Sequence, residues 1–588
     1  MSDRFEEGMR RRQYLKATTV AGLVGLAGCS SIQGDTDSEP RQKDQSSQTV
    51  QNSQDEAAAE SIARDPIISE QLVVAHYMSG MMPHGFPEEA PTDPALYDPS
   101  GISGQIGGAH QTIPLLRLLH GADMNPVEMA KYEMECATRF GIDGFDFYYP
   151  YTADGRAMRR YHESIVAFFE AAERFNLDFR LTLCFSHPIG PATQDEKIKT
   201  FAAPARAVMD AVGRGSSSWL RTDDGRILFY TWHPDALLDR LGTNPWLVRR
   251  RPDLVSGIAE AYNQLAEAIG VEAVWMYSMH YPDGRRAYIN EVIEQFPAIK
   301  GWVSNCEEVE QWDYIAKRAQ NRGTVYSQDV YGDFYDGMPK YTSSGDGIHQ
   351  HEELGAVTVN EIVRDVHILD LSHNFRAQLE RATERGADLI NVATWNDYLE
   401  GHHVAPEINH NFGFAQLLHY YVAQWRDAPQ GVPDETAIAF FKKYPWRATP
   451  DPYDVELNVE ARCVRPAGED LIEVVTILDA PATVRINEQP AANVAAGVDV
   501  VRVPMEPGPV TVRVSRDGSV VKQFTTPEWI TEQPFRTDRL TYSYSSEHER
   551  LSHELFGEDA TRHSSQQYAQ DDDGVPNWQR DGTTTDLI

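Results

Sequence analysis

Eight short apolar runs, each followed by sequence of helical character, occupy the stretch from residue 71 to about residue 425. They fall at 72–78, 144–149, 179–185, 227–232, 273–278, 301–305, 324–328 and 389–395. Amphipathic patterns of helical period lie between them, among them 126–140, 161–175, 254–269, 307–321 and 358–385. Apolar runs of this length bounded by turn signals read as strands buried on both faces. Their regular alternation with helices predicts a parallel (β/α)8 TIM barrel, with a doubly wound α/β sheet as the alternative. The segment 334–354, rich in Gly, Ser, His and Asp, is expected to be a long loop over the barrel mouth after the seventh strand.

The pattern changes after Phe441-Lys442-Lys443-Tyr444-Pro445. Short alternating runs at 455–464, 471–478, 483–486, 498–503 and 510–514, separated by turn residues, predict a small antiparallel β-sandwich. This divides the chain into a barrel domain over 67–445, a sandwich over 446–545 and a hydrophilic, disordered tail over 546–588. A chain of 588 residues is long enough for such a division.

The N-terminus reads as a targeting segment rather than as part of the fold. Arg10-Arg11-Arg12-Gln13-Tyr14-Leu15-Lys16 resembles a twin-arginine export signal, and Leu26-Ala27-Gly28-Cys29 resembles a lipobox that would place a lipid on Cys29. Residues 1–29 are therefore expected to direct export, and 30–66, polar and without apolar period, to form a disordered tether. The protein is expected at the cell surface or outside the cell, held to the membrane by that lipid. The chain carries 88 Asp+Glu against 53 Lys+Arg, of which only 11 are Lys, for a net charge of −35. That balance resembles proteins of salt-loving archaea and argues against nucleic acid as a partner, since the summed field repels phosphates. Cys136, Cys184, Cys306 and Cys463 form no CxxC pair; a Cys136–Cys306 disulfide stays open, and Cys184 reads as a small buried hydrophobe. A monomer is expected.

In a TIM barrel the chemistry sits at the C-terminal ends of the strands, and these ends can be read one by one. The first offers His76 and Tyr77, the second Asp146 and Tyr148, the third His187, the fourth Trp232 and His233. The fifth offers Tyr277, the sixth Asn305, the seventh Gln328 and Asp329. Aromatic platforms with polar grips are the composition of a sugar-binding cleft. The eighth exit is the richest: Thr394-Trp395-Asn396-Asp397-Tyr398, with Glu400 three residues after Asp397 and His402 beyond. Trp395 is expected to stack on a pyranose, Asn396 to grip hydroxyls, and Asp397 and Glu400 to divide acid and base work. A turn of helical character would bring both carboxylates to one side and let them splay to the roughly 6.5–9.5 Å of an inverting glycosidase.

A bound metal held by His402 and His403 with His76, His187 and His233 is the weaker reading, because no HExxH appears. No GxSxG elbow, phosphate loop or GxGxxG follows a strand either. No metal and no cofactor are expected.

Several of these stretches together resemble glycoside hydrolase family 71, the α-1,3-glucanases or mutanases. Val74-Ala75-His76-Tyr77-Met78 resembles that family's first strand, and Phe140-Gly141-Ile142-Asp143-Gly144-Phe145 its second strand and lead-in. Thr394-Trp395-Asn396-Asp397-Tyr398-Leu399-Glu400 resembles its TWNDYGES signature, with Leu399 in place of Gly, and Gly401-His402 following where Ser is usual. The resemblance implies an inverting endo-hydrolase on a (β/α)8 barrel, with Asp397 as base and Glu400 as acid. Family 99 endo-α-mannan hydrolases share AHYM-like starts but carry Glu where Asp397 stands, and they rank second. A non-catalytic surface glycan-binding lipoprotein is the reading from a different class.

Overall fold

The computed structural model describes residues 67–79, 114–116, 125–150, 155–186, 193–238, 245–280, 282, 284–302, 309–341, 362–368, 370–398, 400–428, 435–445, 456–461, 470–532 and 540–557. The first part of the chain forms β1 (Leu72–Tyr77), α1 (Pro126–Arg139), β2 (Gly144–Tyr149), α2 (Gly155–Arg174), β3 (Arg180–Phe185) and α3 (Gln194–Val212). Then come β4 (Ile227–Thr231), α4 (Val255–Ile269), β5 (Ala273–Met279), α5 (Arg286–Gln295), β6 (Ala298–Gly301), α6 (Val309–Arg322) and β7 (Val325–Val330). After a two-strand excursion, β8 (Phe334–Tyr341) and β9 (Ile362–Ile368), the chain continues through α7 (His373–Glu384), β10 (Leu389–Val392) and α8 (Gly413–Trp425).

The strands β1 to β7 and β10 close into a parallel barrel, with β1 paired to β2 on one side and to β10 on the other. Alternation along each strand divides the core in two. Val74, Cys184, Leu228, Met276 and Val325 fill the barrel interior. Val73, Ala75, Phe145, Phe147, Leu181 and Ile390 face outward to the helices. Local sequence fixes the helix ends. Asn125 caps α1 by accepting from the Val127 amide at 2.9 Å, with Pro126 following, and Thr193 and Glu196 form a capping box on α3. Gly270, at φ +82°, ends α4 in the left-handed conformation that glycine adopts without steric cost. Among the described residues no helix is long and apolar enough to cross a membrane.

Three expectations for the barrel region need correction. The helical pattern over 358–385 is helical only from His373; the β-branched stretch Ile362–Ile368 is a strand, and extended backbone suits such side chains better than a helix. The expected mouth loop begins as strand β8, antiparallel to β9, while 342–361 lie outside the described residues. The sixth strand is Ala298–Gly301 rather than 301–305. Cys136 and Cys184 are both buried free thiols, and Cys306 and Cys463 lie outside the described residues.

The C-terminal region supplies β11 (Thr436–Lys442), β12 (Glu456–Ala461), β13 (Leu471–Leu478), β14 (Ala482–Ile486), β15 (Ala492–Val494), β16 (Gly497–Pro504), β17 (Gly508–Arg516), β18 (Ser519–Ile530), β19 (Thr541–Ser545) and α9 (His548–Phe556). Two antiparallel sheets, ordered β16-β13-β11-β19 and β15-β14-β17-β18, share one apolar core through Ala439, Phe441, Val474, Val484, Val512 and Tyr542. The run at 455–464 joins the β8–β9 excursion instead, as β12 paired in parallel with β9. The sheet takes its strand β11 from before residue 446, and α9 lies beyond residue 545 with Phe556 against Phe412.

The barrel and the sandwich meet closely. Phe414 of α8 packs on Phe440 of β11 with ring centroids 5.3 Å apart. A Cβ on Gly413 would clash with Ser543 Oγ and lie 3.0 Å from the Phe440 ring. Gly413→Ala is therefore expected to destabilise the protein by about 1–3 kcal/mol through overpacking. The check is a denaturant midpoint measured beside that of Ala415→Gly on the same helix.

Candidate active site

The chain leaves β10 into a tight loop at the barrel mouth. The Thr394 amide donates to the His402 carbonyl at 2.9 Å and the Val404 amide to the Thr394 carbonyl at 3.1 Å, which folds 394–404 into a closed lobe. Inside it the Asp397 amide donates to Thr394 Oγ1 at 2.8 Å, the Glu400 amide to Asp397 Oδ1 at 3.3 Å, and the Gly401 amide to the Asp397 carbonyl at 3.1 Å. Gly401 has φ +70°, which a side chain there would resist. The expected turn of helical character is thus present, and both carboxylates emerge on one side.

His402 lies between them. Its Nε2 is 2.9 Å from Glu400 Oε2 and 3.8 Å from Asp397 Oδ2, and its Nδ1 is 3.1 Å from the Ala393 carbonyl. A carbonyl can only accept, so Nδ1 carries a proton. Burial lowers the pKa of the ring, against an opposing pull from Asp397. The three side chains present donor atoms that all lie within 4.8 Å of one another. This is closer than the inverting separation expected from sequence: His402 Nε2 bonds Glu400 and stands 3.8 Å from Asp397.

Below the pair the barrel interior carries a polar relay beside its apolar residues. Asp329 Oδ1 accepts from Asn391 Nδ2 at 2.8 Å, and Asn391 Oδ1 accepts from Lys300 Nζ at 3.2 Å. Lys300 Nζ lies 3.9 Å from Asp146 Oδ2, and Asp146 Oδ1 pairs with His76 Nδ1. The ammonium of Lys300 also sits over the rings of Tyr230 and Trp302, at 4.8 and 5.0 Å from their centroids. Burial lowers the His76 pKa, opposed by Asp146. Aromatic rings line the wall above. His76 meets Trp302 edge-on at 4.9 Å, Trp232 lies 6.0 Å from Trp302 and 6.2 Å from Tyr148, and His233 stacks on His280 at 4.4 Å. Residual exposures of 5–7% at Trp232, Trp302, Tyr148 and His280, against 0–1% at Tyr77 and Tyr277, mark which rings reach the mouth.

Of the residues expected from sequence, His76, Asp146, Tyr148, Trp232, His233, Asp329, Asp397, Glu400 and His402 gather here. Three others, all on barrel strands, point away. Tyr77 packs on Phe145, Phe147 and Phe168 between sheet and helices. Tyr277 meets Phe296 and bonds to Tyr288 at 3.0 Å on the same outer side. Gln328 bonds to Tyr326 and to Arg385 Nη1, at 3.0 and 2.8 Å, also outside the barrel. Neighbours in a strand face opposite sides, so each follows from its inward partner. Asn396 is paired with backbone: Oδ1 accepts from the Met78 amide at 2.7 Å and Nδ2 donates to the Met78 carbonyl at 3.2 Å, tying the eighth exit to the first.

Trp395 is the largest correction. It is no sugar platform; its indole is buried beside Phe145, and Nε1 donates to Glu133 of α1. Glu133, Cys136, Trp395, Tyr398 and Phe556 are among the residues that line a crevice behind the lobe. Burial pushes the Glu133 carboxyl up to about 7, while the Trp395 hydrogen bond pulls it down. A folded-state pKa above the unfolded value means that Glu133 favours folding most below its unfolded pKa. That contribution is lost as pH rises toward about 7 and is gone above it. Glu133→Gln is expected to remove a pH-dependent loss on the order of 3 kcal/mol from the wild-type profile between those limits. Unfolding curves at pH 4.5 and 7.5 compare the two.

Lys300, Asn391 and Trp302 are not among the residues expected from sequence. Their signal was a Lys and an Asn inside otherwise apolar strands, in a chain with few Lys. His187, Asn305 and Cys29 lie outside the described residues.

Residues 372–545 match the family model described as Glycosyl hydrolase family 71, which bears out the resemblance read from the signature. No curated protein matches the sequence. Among solved structures, the chain is similar to the GH99 endo-alpha-mannosidase from Bacteroides thetaiotaomicron, at 13% identity and TM-score 0.39, over 61% of this chain and 98% of that one. It is also similar to the endo-beta-1,4-mannanase from Thermotoga petrophila, at 9% identity and TM-score 0.34, over 68% of this chain and 94% of that one. The family match and the barrel support a glycosidase.

Proposed function

We propose that the chain is an exported glycoside hydrolase acting on an α-1,3-glucan-like polysaccharide, with Glu400 as general acid and Asp397 as general base. The observation that carries the roles is the tautomer of His402. With Nδ1–H given to the Ala393 carbonyl, an uncharged His402 offers Nε2 as an acceptor, so the proton between it and Glu400 belongs to Glu400. Glu400 is then the group with a proton to give to a leaving oxygen, and Asp397 the carboxylate that draws a proton from water. Tyr148, Trp232 and Trp302 supply the ring faces and His76 and Asp329 the polar contacts for a sugar. The resemblance to family 71 supports this substrate class, and the N-terminal motifs support export with a lipid on Cys29.

Inversion requires Glu400 to swing from His402 to the leaving oxygen, opening space for a water on Asp397. A second reading, retention with a covalent intermediate, is favoured by the close approach of the pair.

The test is incubation of the purified protein in molar salt with a panel of α- and β-glucans and α-mannans. Products are separated by size and the anomer of the first-formed product is read by NMR. Oligosaccharides of inverted configuration from α-1,3-glucan are expected. Retained configuration would keep the substrate and discard the inverting mechanism. Release from α-mannan alone would move the substrate class, and binding without release from any polymer would leave a glycan-binding lipoprotein.

A further inference from the structure

Beyond the catalytic lobe the chain runs through His403, Glu407 and His410 before entering α8, and none of the three has a place in the hydrolytic scheme. All are buried, at 0%, 0% and 1% exposure. His403 Nε2 lies 3.3 Å and His410 Nδ1 3.4 Å from the same oxygen, Glu407 Oε1, and the two rings are 4.6 Å apart. No ring nitrogen of either histidine makes a hydrogen bond of good geometry, although buried polar groups are as a rule paired. Two imidazoles donating to one carboxylate would account for the proximity, but would orient an N–H along each contact.

A metal ion accounts for both facts. Donors held at 2.0–2.2 Å around a tetrahedral ion are separated by roughly 3.4 Å, the spacing found here. The outer contacts also fit, because a ligating imidazole commonly gives its second N–H to a carbonyl or a carboxylate. The Asp397 main-chain carbonyl faces the His403 ring without a hydrogen bond of good geometry, and His410 Nε2 lies 3.5 Å from Asp333 Oδ2. With uncharged imidazoles, Glu407, Asp333 and Lys442 leave one net negative charge in a buried cluster. Glu407 is further oriented by the Asn409 amide at 2.6 Å and by the His410 amide.

We propose that His403, Glu407 and His410 form a buried structural site for one divalent transition-metal ion, with zinc the ion their two nitrogens and one carboxylate oxygen suit best. The ion would tie the catalytic lobe, through the Asp397 carbonyl, to the sandwich, through Asp333, Lys442 and the Thr541 amide. Since no ligand is exposed, uptake accompanies folding.

The experiment measures metal content of the full chain made in zinc-supplemented medium and dialysed. About one zinc per chain is expected. It should fall to background in His403→Ala/His410→Ala and bind at least about ten-fold more weakly in Glu407→Gln. Asp397→Asn/His402→Ala, which empties the neighbouring cluster, should keep its zinc. Protein produced with Co²⁺ should show the visible absorption of a four-coordinate site. That band should be absent in Glu407→Gln, which keeps the test alive if the double variant does not fold. Folded wild type without zinc and without the cobalt band overturns the proposal. So does zinc retained by the double variant.

Discussion

Asp397→Asn and Glu400→Gln are each expected to lower turnover by about 10²–10⁴-fold, with the folded state intact. Both replacements keep side-chain volume and a carbonyl oxygen, so the amides of Asp397 and Glu400 retain their bonds to Thr394 Oγ1 and to residue 397. The two should differ in what restores activity. Glu400→Gln removes the proton donor, so a substrate with an acidic leaving group, such as an aryl glycoside, should regain most of the loss. Asp397→Asn removes the group that activates water, so leaving-group acidity should not help, whereas added azide should. If the aryl glycoside rescues Asp397→Asn instead, the roles are reversed. If it rescues neither, both carboxylates act otherwise than proposed.

The second large effect concerns stability. Lys300→Met is expected to cost about 3–5 kcal/mol, because it strands Asp146 in the barrel interior with His76 alone and deprives Asn391 of its donor. A methionine fills much of the same space, which separates the charge effect from a cavity. Adding Asp146→Asn to Lys300→Met should recover part of the loss, since the double variant holds no unpaired charge. Urea midpoints of the four proteins at one salt concentration give the coupling. A Lys300→Met midpoint close to wild type would mean that water already reaches Asp146, and the relay would then have no energetic role.

Much of this architecture can be read from residues alone. Period-two alternation locates the barrel strands, and once His76 is placed inward, Tyr77 must face out; Asp329 and Gln328 stand in the same relation. The sixth strand was displaced by three residues because Ala298–Gly301 is short and its central inward residue is a lysine, which hydropathy counts against a strand. Strand β9 was hidden because Arg364, Asp365 and His367 interrupt its apolar residues. Trp395 could not be placed from sequence. Its partner Glu133 is 262 positions away, and beyond β10 alternation no longer says which way a side chain turns. The pair Asp397/Glu400 is legible in the sequence; that His402 bonds Glu400 rather than a substrate is not.

The lobe that bears the carboxylates leaves the barrel at Ala393 and, within twenty residues, rests on Ser543 through Asn409, Asn411 and His410. Modularity therefore stops short of this boundary. A homologous barrel could not exchange its sandwich for another without rebuilding the lobe, so the two should be inherited as one piece. Gene fusions that vary this protein's reach or targeting are expected at its ends, and not at the seam between its domains.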